Sequence, residues 1–210
     1  MTNRVAVLID GDYMRFTLQD KLNRFPTIDD FRTYRNNLMT AYYTAANNME
    51  PENLASVPGG AFYLYRIFYY TADPYGDPPF KGNSLQSYEF IKQLEREKDV
   101  AVRRGTVKFR GWKVKSNIVE KVRKGTVVQL DKSGIKHNYV QKGVDMRIGL
   151  DIATLALKRL VSDVVVVTGD LDMVPAFKLA RTEGLRVYVD TMSGMDAEAK
   201  LQVHSDRVIG

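Results

Sequence analysis

The sequence contains no cysteine and only two histidines, His137 and His204, among its 210 residues. The absence of cysteine excludes disulfides, thiolate zinc sites and cysteine nucleophiles. A bound metal ion would therefore need oxygen ligands or the two imidazoles. We expect both histidines to be surface residues, because His137 lies in a turn-like basic segment and His204 lies near the end of the chain.

The sequence also has no apolar run near the ~20 residues that are needed to span a bilayer. The apolar stretch Val5–Ile9 is too short for the apolar part of a signal peptide. We therefore expect a soluble, cytoplasmic protein with no membrane partner. Since 44% of the residues are apolar, the chain can bury one sizeable core, and we expect a single domain over residues 1–210.

Basic residues are concentrated in one part of the chain. The formal net charge is +6, but residues 92–142 contain 15 Lys and Arg against 5 Asp and Glu, and the remainder is acidic overall. Such a stretch suits a polyanionic partner, because each neutralised phosphate releases counterions. A solvated basic face is the alternative interpretation.

Apolar periodicity predicts strands that alternate with helices. The predicted strands are residues 4–9, 61–70, 100–109, 126–130, 163–168 and 185–190, and the predicted helices are residues 31–49, 85–98, 143–160 and 171–183. This alternation predicts an α/β fold with a parallel, doubly wound sheet. Residues 100–141, rich in Lys and Arg and interrupted by glycines, are predicted to insert a basic hairpin or flap.

Acidic side chains follow two of the predicted strands. Asp10 comes directly after the first strand, and Asp170 and Asp172 follow the strand at 163–168. Because the carboxyl ends of parallel strands share one edge, we expect these side chains to face one crevice, together with Asp145 at the start of its helix. Asp145, Asp170 and Asp172 each have an alternative role at a helix N-terminus. Asp10 has no such role unless a helix begins at once.

Several carboxylates in one crevice favour a bound cation. At an effective dielectric constant of ~20, two carboxylates ~4 Å apart repel each other by about 4 kcal/mol. Ligand sets made only of oxygen favour Mg²⁺ or Mn²⁺, which can activate water and stabilise charge on an attacked phosphate. The sequence therefore predicts a catalytic Mg²⁺ or Mn²⁺ site formed by Asp10, Asp145, Asp170 and Asp172.

Three motifs occur in an order and spacing typical of one nuclease family. They are Val7-Leu-Ile-Asp-Gly-Asp12, Gln141-Lys-Gly-Val-Asp145 and Val166-Val-Thr-Gly-Asp-Leu-Asp-Met-Val-Pro175. On these motifs the chain resembles the NYN family of PIN-like nucleases, particularly its LabA-like branch, over about residues 5–189. The resemblance implies a Rossmann-like PIN-type fold, a cluster of aspartates that binds Mg²⁺ or Mn²⁺, and hydrolysis of RNA phosphodiester bonds.

The four aspartates match the acidic positions of the family. Asp151 matches a further frequent acid and is a fifth candidate metal ligand, although an ion pair with Arg147, four residues earlier, would explain it equally well. The chain departs from the family pattern at Tyr13, where the family usually has Asn.

These observations together predict a metal-dependent ribonuclease, with endonucleolytic cleavage of single-stranded or structured RNA. A homodimer is one assembly that the sequence allows. Trp112, which is flanked by cations, is the candidate for stacking on a base. The residues expected to contact the substrate are Lys142, Thr168, Arg103, Arg104, Lys108, Arg110, Trp112, Lys113 and Lys115.

Other functions remain open at this point. A non-catalytic RNA-binding or regulatory protein could use the same basic flap without cleaving RNA. Asp10-Gly-Asp12 also resembles the first motif of haloacid-dehalogenase-like phosphatases, but Met14 stands where Thr or Val is expected. Asp170-Leu-Asp172 would suit a topoisomerase-primase-type metal site, in which the first strand ends in Glu rather than Asp.

Overall fold

The structure is a computed structural model that describes residues 3–48, 62–76, 79–192 and 195–209. Its strands are β1 (Asn3–Asp10), β2 (Phe62–Ala72), β3 (Val100–Val114), β4 (Ile135–Lys142), β5 (Asp163–Val167), β6 (Arg186–Asp190) and β7 (Arg207–Val208). Its helices are α1 (Gly11–Leu22), α2 (Ile28–Asn47), α3 (Gly82–Leu94), α4 (Ser116–Arg123), α5 (Val144–Leu157), α6 (Val174–Thr182) and α7 (Met195–Gln202). No helix in these ranges has both the length and the apolar character needed to cross a membrane.

The seven strands form one sheet in the order β4-β3-β2-β1-β5-β6-β7. Every neighbouring pair is parallel except β3 and β4. The predicted α/β fold with a mostly parallel sheet is therefore confirmed. The direction in which successive strands are added to the sheet reverses between β1 and β5. Parallel sheets bind ligands in the crevice at the carboxyl ends of the strands at such a point.

Alternate residues of β1 pack into two cores on opposite faces of the sheet. Val5, Val7 and Ile9 belong to the core beneath α1, α2 and α3, whereas Ala6 and Leu8 belong to the core beneath α5 and α6. Since a strand alternates faces with a period of two, a strand buried on both sides is apolar throughout. This burial fixes the place where β1 ends, and with it the position of Asp10.

β3 is long enough to pair with two neighbours in succession. Residues 100–105 pair with β2, and residues 106–114 continue beyond the sheet edge and pair with β4. We call the paired segments 106–114 and 135–142 the hairpin. β4 runs back toward the sheet, so that Lys142 lies opposite Thr106 and α5 begins at the edge where β1 and β2 end.

Several predicted elements differ from the observed ones. The hairpin is present, but the prediction of a strand at 126–130 is wrong, because this segment is irregular and the second strand of the hairpin is β4. Branched residues favour a strand only when a neighbour packs against them, and Val127 is 97% exposed. The helices α1, α4 and α7 and the strand β7 were not predicted. The ends of the predicted elements at residues 49 and 61 lie outside the described residues.

Candidate active site

Asp10 is the last residue of β1 and also caps α1. Its Oδ1 accepts a hydrogen bond of 3.1 Å from the backbone N–H of Tyr13. A helix therefore does begin at once, and the expectation that Asp10 has no capping role was wrong. Burial raises the pKa of Asp10 to about 6, and the negative charges of Asp12 and Asp145 add to this increase.

Asp145 lies in the first turn of α5, after Gly143 in the left-handed region with φ of 79°. The pKa of Asp145 is also raised, first by partial desolvation and then by the charges of Asp170 and Asp172. The charge of Asp145 thus interacts with that of Asp10 and with those of Asp170 and Asp172. We call these four side chains, which lie at the carboxyl edge of the sheet and at the start of α5, the aspartate cluster.

The third part of the aspartate cluster is a turn that follows β5. Oδ1 of Asp170 accepts from the backbone N–H of Asp172 at 2.9 Å, so Asp170 also caps the short 3₁₀ turn at 171–173. The hydroxyl of buried Thr168 accepts from the backbone N–H of Asp170 at 3.0 Å. Thr168 therefore holds the turn that carries Asp170, whereas Asp172 is exposed to solvent.

The residues present fit an oxygen-coordinated cation without forming a closed cage for it. No ion pair within the described ranges includes a member of the aspartate cluster, so its negative charge is not balanced by a cationic side chain. In the same ranges, no three acidic, cysteine or histidine side chains are close enough to hold one ion directly. Mg²⁺ usually keeps several waters and binds through one or two carboxylates and substrate phosphates, which suits an open cluster of this kind.

Asp151, the fifth candidate ligand, already has two partners in the fold. It accepts hydrogen bonds from the hydroxyl of Tyr70 at 2.8 Å and from Nε of Arg103 at 3.1 Å. The expected ion pair with Arg147 is absent from the described structure, since Arg147 donates instead to the backbone carbonyl of Arg104 at 2.7 Å. Asp151 therefore links α5 to β2 and β3.

The candidate substrate-binding residues divide into two groups. Arg103 pairs with Asp151, and Arg104 pairs with Asp73 and Glu95, so both guanidinium groups are engaged within the fold. The other candidate side chains of the hairpin are exposed, and so is Lys142 at its base; these residues are Lys108, Arg110, Trp112, Lys113 and Lys142. Lys115 is partly exposed just beyond β3. His137 is exposed, as expected, and His204 is partly exposed.

Sequence reasoning missed two acids at the same edge of the sheet. Asp12 is near enough to Asp10 to raise its pKa, and it forms an ion pair with Arg15 at 3.2 Å. Asp190 ends β6 and is buried, where it accepts from the hydroxyl of Tyr34 at 2.6 Å. Both acids follow apolar strands, which is the signal that singled out Asp10.

A mostly parallel seven-stranded sheet flanked by helices, with acidic side chains at its carboxyl edge, is consistent with a PIN-like α/β fold. A family model described as the NYN domain matches residues 4–209. The chain therefore belongs to the NYN family of the PIN-like superfamily. At the level of the family, this membership supports a nuclease that acts on nucleic acid and generally requires a divalent metal ion.

One of the solved structures that match the chain spans nearly all of it. It is the crystal structure of a protein of unknown function from Vibrio parahaemolyticus, with a TM-score of 0.49 and 13% sequence identity over 99% of this chain and 92% of that chain. None of the curated proteins compared with the chain matches it. The single-domain organisation over residues 1–210 stays a prediction.

Proposed function

We propose that the protein is a metal-dependent endoribonuclease whose aspartate cluster binds Mg²⁺ or Mn²⁺. The observation that carries the proposal is the position of the four aspartates at the carboxyl ends of β1 and β5 and at the start of α5, where burial and, to a lesser extent, neighbouring negative charge raise the pKa values of Asp10 and Asp145. Carboxylates that repel one another, with no cationic side chain paired to them, are stabilised when a divalent cation binds. Membership of the NYN family supports the same conclusion.

The chain's own residues supply orientation and charge at this site. Backbone N–H groups donate to Asp10 and Asp170, so both carboxylates are held in place before a ligand arrives. Lys142 is exposed three residues before Asp145, where its ammonium group can attract the phosphate backbone. A divalent ion bound at the cluster would supply Lewis-acid stabilisation of the attacked phosphate and lower the pKa of a water molecule.

The proposal specifies RNA rather than nucleic acid in general, and cleavage within the strand rather than from an end. RNA is proposed because the resemblance of the three motifs implies hydrolysis of RNA phosphodiesters, and the hairpin presents the exposed aromatic and basic side chains on which unpaired bases can stack. Internal cleavage suits a site that lies at an open sheet edge, because a strand can cross such an edge in both directions. We also propose that the protein acts in the cytoplasm.

The experiment is incubation of a labelled circular single-stranded RNA with Mn²⁺ or Mg²⁺. A circle has no ends, so only an endonuclease can open it. The native protein should linearise the circle, whereas Asp145→Asn and Asp170→Asn should reduce the rate by at least 100-fold. Tyr63→Ala, an exposed residue at the start of β2, is the matched control and should cleave normally. Survival of the RNA with all of these proteins would refute the proposal.

Binding without cleavage is the second candidate function, and the hairpin is the observation that favours it. Its exposed cations and aromatic side chains do not depend on the aspartate cluster for their position. A protein that binds the circular RNA equally well in the native, Asp145→Asn and Asp170→Asn forms, and never opens it, would have this function.

A further inference from the structure

One face of the hairpin carries a continuous row of aromatic side chains. The rings of Trp112 and His137 are 4.1 Å apart between centroids, and those of His137 and Tyr139 are 5.4 Å apart and stacked. Tyr139 continues the row to Tyr75, at 4.9 Å. Phe109 lies beside this row, 5.8 Å from Tyr139. We call these five side chains the aromatic row.

The aromatic row is on the surface rather than in a core. Trp112 is 59% exposed, Tyr75 50% and Tyr139 44%, and none of the five side chains belongs to either buried cluster of the described residues. Large aromatic side chains lose favourable burial when they are left in water, so an exposed row of this length indicates a binding surface.

The hairpin that carries the row is strongly basic, and the pairing of its strands places Lys108, Lys113, Lys136 and Lys142 on the positions that alternate with the rings, toward its opposite face. Its two strands contain five cations and no acid, and within the described ranges none of these cations forms an ion pair; they are Lys108, Arg110, Lys113, Lys136 and Lys142. A narrow hairpin with aromatic rings on one face and unpaired cations on the other suits a single strand of nucleic acid, whose bases can stack on the rings while its phosphates meet lysines and arginines at the edges of the hairpin. An apolar protein partner would not require this charge.

The aromatic row also leads toward the aspartate cluster. Tyr75 and Tyr139 line a groove of about 480 Å³ that extends to Asp12 and Arg15 on α1. Asp12 lies in the first turn of α1, the helix that Asp10 caps. The groove has the volume of a small-ligand site, and the side-chain amides of Gln19, Asn83 and Gln141 line it.

We propose that the aromatic row and the groove form a track for unpaired nucleobases, which selects single-stranded over double-stranded RNA. This inference rests on the proposed function, because the track leads the strand to the aspartate cluster. Bases of a single strand stack on the row, and one unpaired base enters the groove, where amide groups can contact its edge. In a duplex the bases face one another and are not available to the row.

Trp112 is the only tryptophan of the chain, so its fluorescence reports on the row alone. The experiment uses the Asp145→Asn protein in the presence of a chelator, so that the RNA survives. It compares three ligands of equal length: a single strand, a duplex and an abasic strand that keeps ribose and phosphate but has no bases. We expect the single strand to quench Trp112 and to bind about tenfold or more tightly than the other two ligands.

Variants of the aromatic row distinguish the contribution of base stacking to RNA binding from the contribution of charge. Tyr139→Ala should weaken single-strand binding about tenfold and leave abasic-strand binding nearly unchanged, whereas Trp112→Phe, which keeps a ring, should retain most of the preference. Tyr63→Ala is the control, since Tyr63 is 60% exposed at the opposite edge of the sheet. Circular dichroism establishes that the hairpin variants remain folded.

The failure of this inference is distinct from failure of the proposed function. Equal affinity for the single strand and the abasic strand, with unchanged emission of Trp112, would overturn the track even if the native protein cleaves RNA. The same equal affinity and unchanged emission are expected if the aromatic row binds a protein rather than RNA. Normal single-strand preference without any cleavage would leave the track in place and refute the nuclease.

Discussion

The ring of Tyr13 lies against Gly169, the residue before Asp170. A Cβ atom at position 169 would be 2.7 Å from Cε2 of Tyr13, which is too close for any side chain. The hydroxyl of Tyr13 donates to the backbone carbonyl of Thr191, so the ring is fixed at both ends. Tyr13 thus packs beneath the turn that presents Asp170.

Substitution Gly169→Ala should therefore displace the turn and reduce RNA cleavage. Because neither the ring nor the turn can move freely, we expect a loss of about 1 to 3 kcal/mol in the free energy of unfolding and at least a tenfold lower cleavage rate. Thermal unfolding and the circular RNA assay measure the two effects.

The matched control for this substitution is Gly149→Ala in α5. A Cβ atom there would meet only Cβ of Ala176, at 3.9 Å, which is an ordinary contact. Since alanine favours a helix more than glycine does, this variant should be equally or more stable and should cleave normally. Equal behaviour of the two variants would show that the contact between Tyr13 and Gly169 is unimportant.

The raised pKa of Asp10 predicts how stability depends on pH in the absence of metal. The native state holds the proton of Asp10 up to about pH 6, whereas the unfolded chain releases it near 3.8, so this stabilisation is complete below pH 3.8 and is lost as pH rises through 6. Asp10→Asn keeps a capping side chain and removes the buried charge. It should therefore increase the free energy of unfolding by about 1 to 3 kcal/mol at pH 7.5 and hardly change it at pH 4.

Denaturant unfolding at the two pH values measures this effect. Added Mg²⁺ should stabilise the native protein at pH 7.5 and should stabilise Asp10→Asn less, because an ion that binds only the folded state favours it. A destabilised Asp10→Asn protein at pH 7.5 would mean that capping, rather than buried charge, dominates at this position.

Five strands of the sheet and four helices could be predicted, because the spacing of apolar residues reflects which positions are buried. The placement of Asp10 and Asp170 at one edge of the sheet followed from the same pattern, since Asp10 ends β1 and Asp170 lies in the turn after β5. α1 could not be predicted in this way, because Gly11 and Asp12 suggest a turn, and the helix depends on Asp10 as its cap. The strand expected at 126–130 had the right residues but no neighbouring strand, which only the tertiary structure could reveal.

The partners of the charged residues were also beyond the reach of the sequence. Asp151 meets Tyr70 and Arg103 only because β2, β3 and α5 pack together, over 81 and 48 residues of sequence separation. Sequence neighbours such as Arg147 suggested a different pair. Long-range contacts of this kind have no local signal, whereas the aspartate motifs do.

Asp151 is expected to stabilise the fold more than it assists catalysis. Asp151→Asn weakens the ion pair with Arg103 and the hydrogen bond with Tyr70, so we expect a loss of about 1 to 2 kcal/mol in the free energy of unfolding. Its cleavage rate should stay within tenfold of the native rate at a temperature where both proteins are folded. A loss of cleavage as large as that of Asp145→Asn, with unchanged stability, would instead make Asp151 a ligand of the metal.

The cations of the hairpin and Arg104 should differ in their effect on RNA binding. Lys108→Ala and Arg110→Ala each remove an unpaired exposed charge, so each should lower the slope of log affinity against log salt by about 1. Arg104→Ala should leave this slope unchanged and lower the melting temperature, because Arg104 is paired with Asp73 and Glu95. Titrations at several salt concentrations separate the two groups, and a reduced slope for Arg104→Ala would contradict the assignment.

The most direct measurement of the central claim is the rate of RNA cleavage as a function of Mn²⁺ concentration, for the native protein and for Asp145→Asn. If the aspartate cluster binds the catalytic ion, the native rate rises from zero in chelator to a plateau. Asp145→Asn then shows no cleavage, or reaches half of its own maximum only at much higher Mn²⁺. Cleavage in the presence of chelator, or identical curves for the two proteins, would contradict the account.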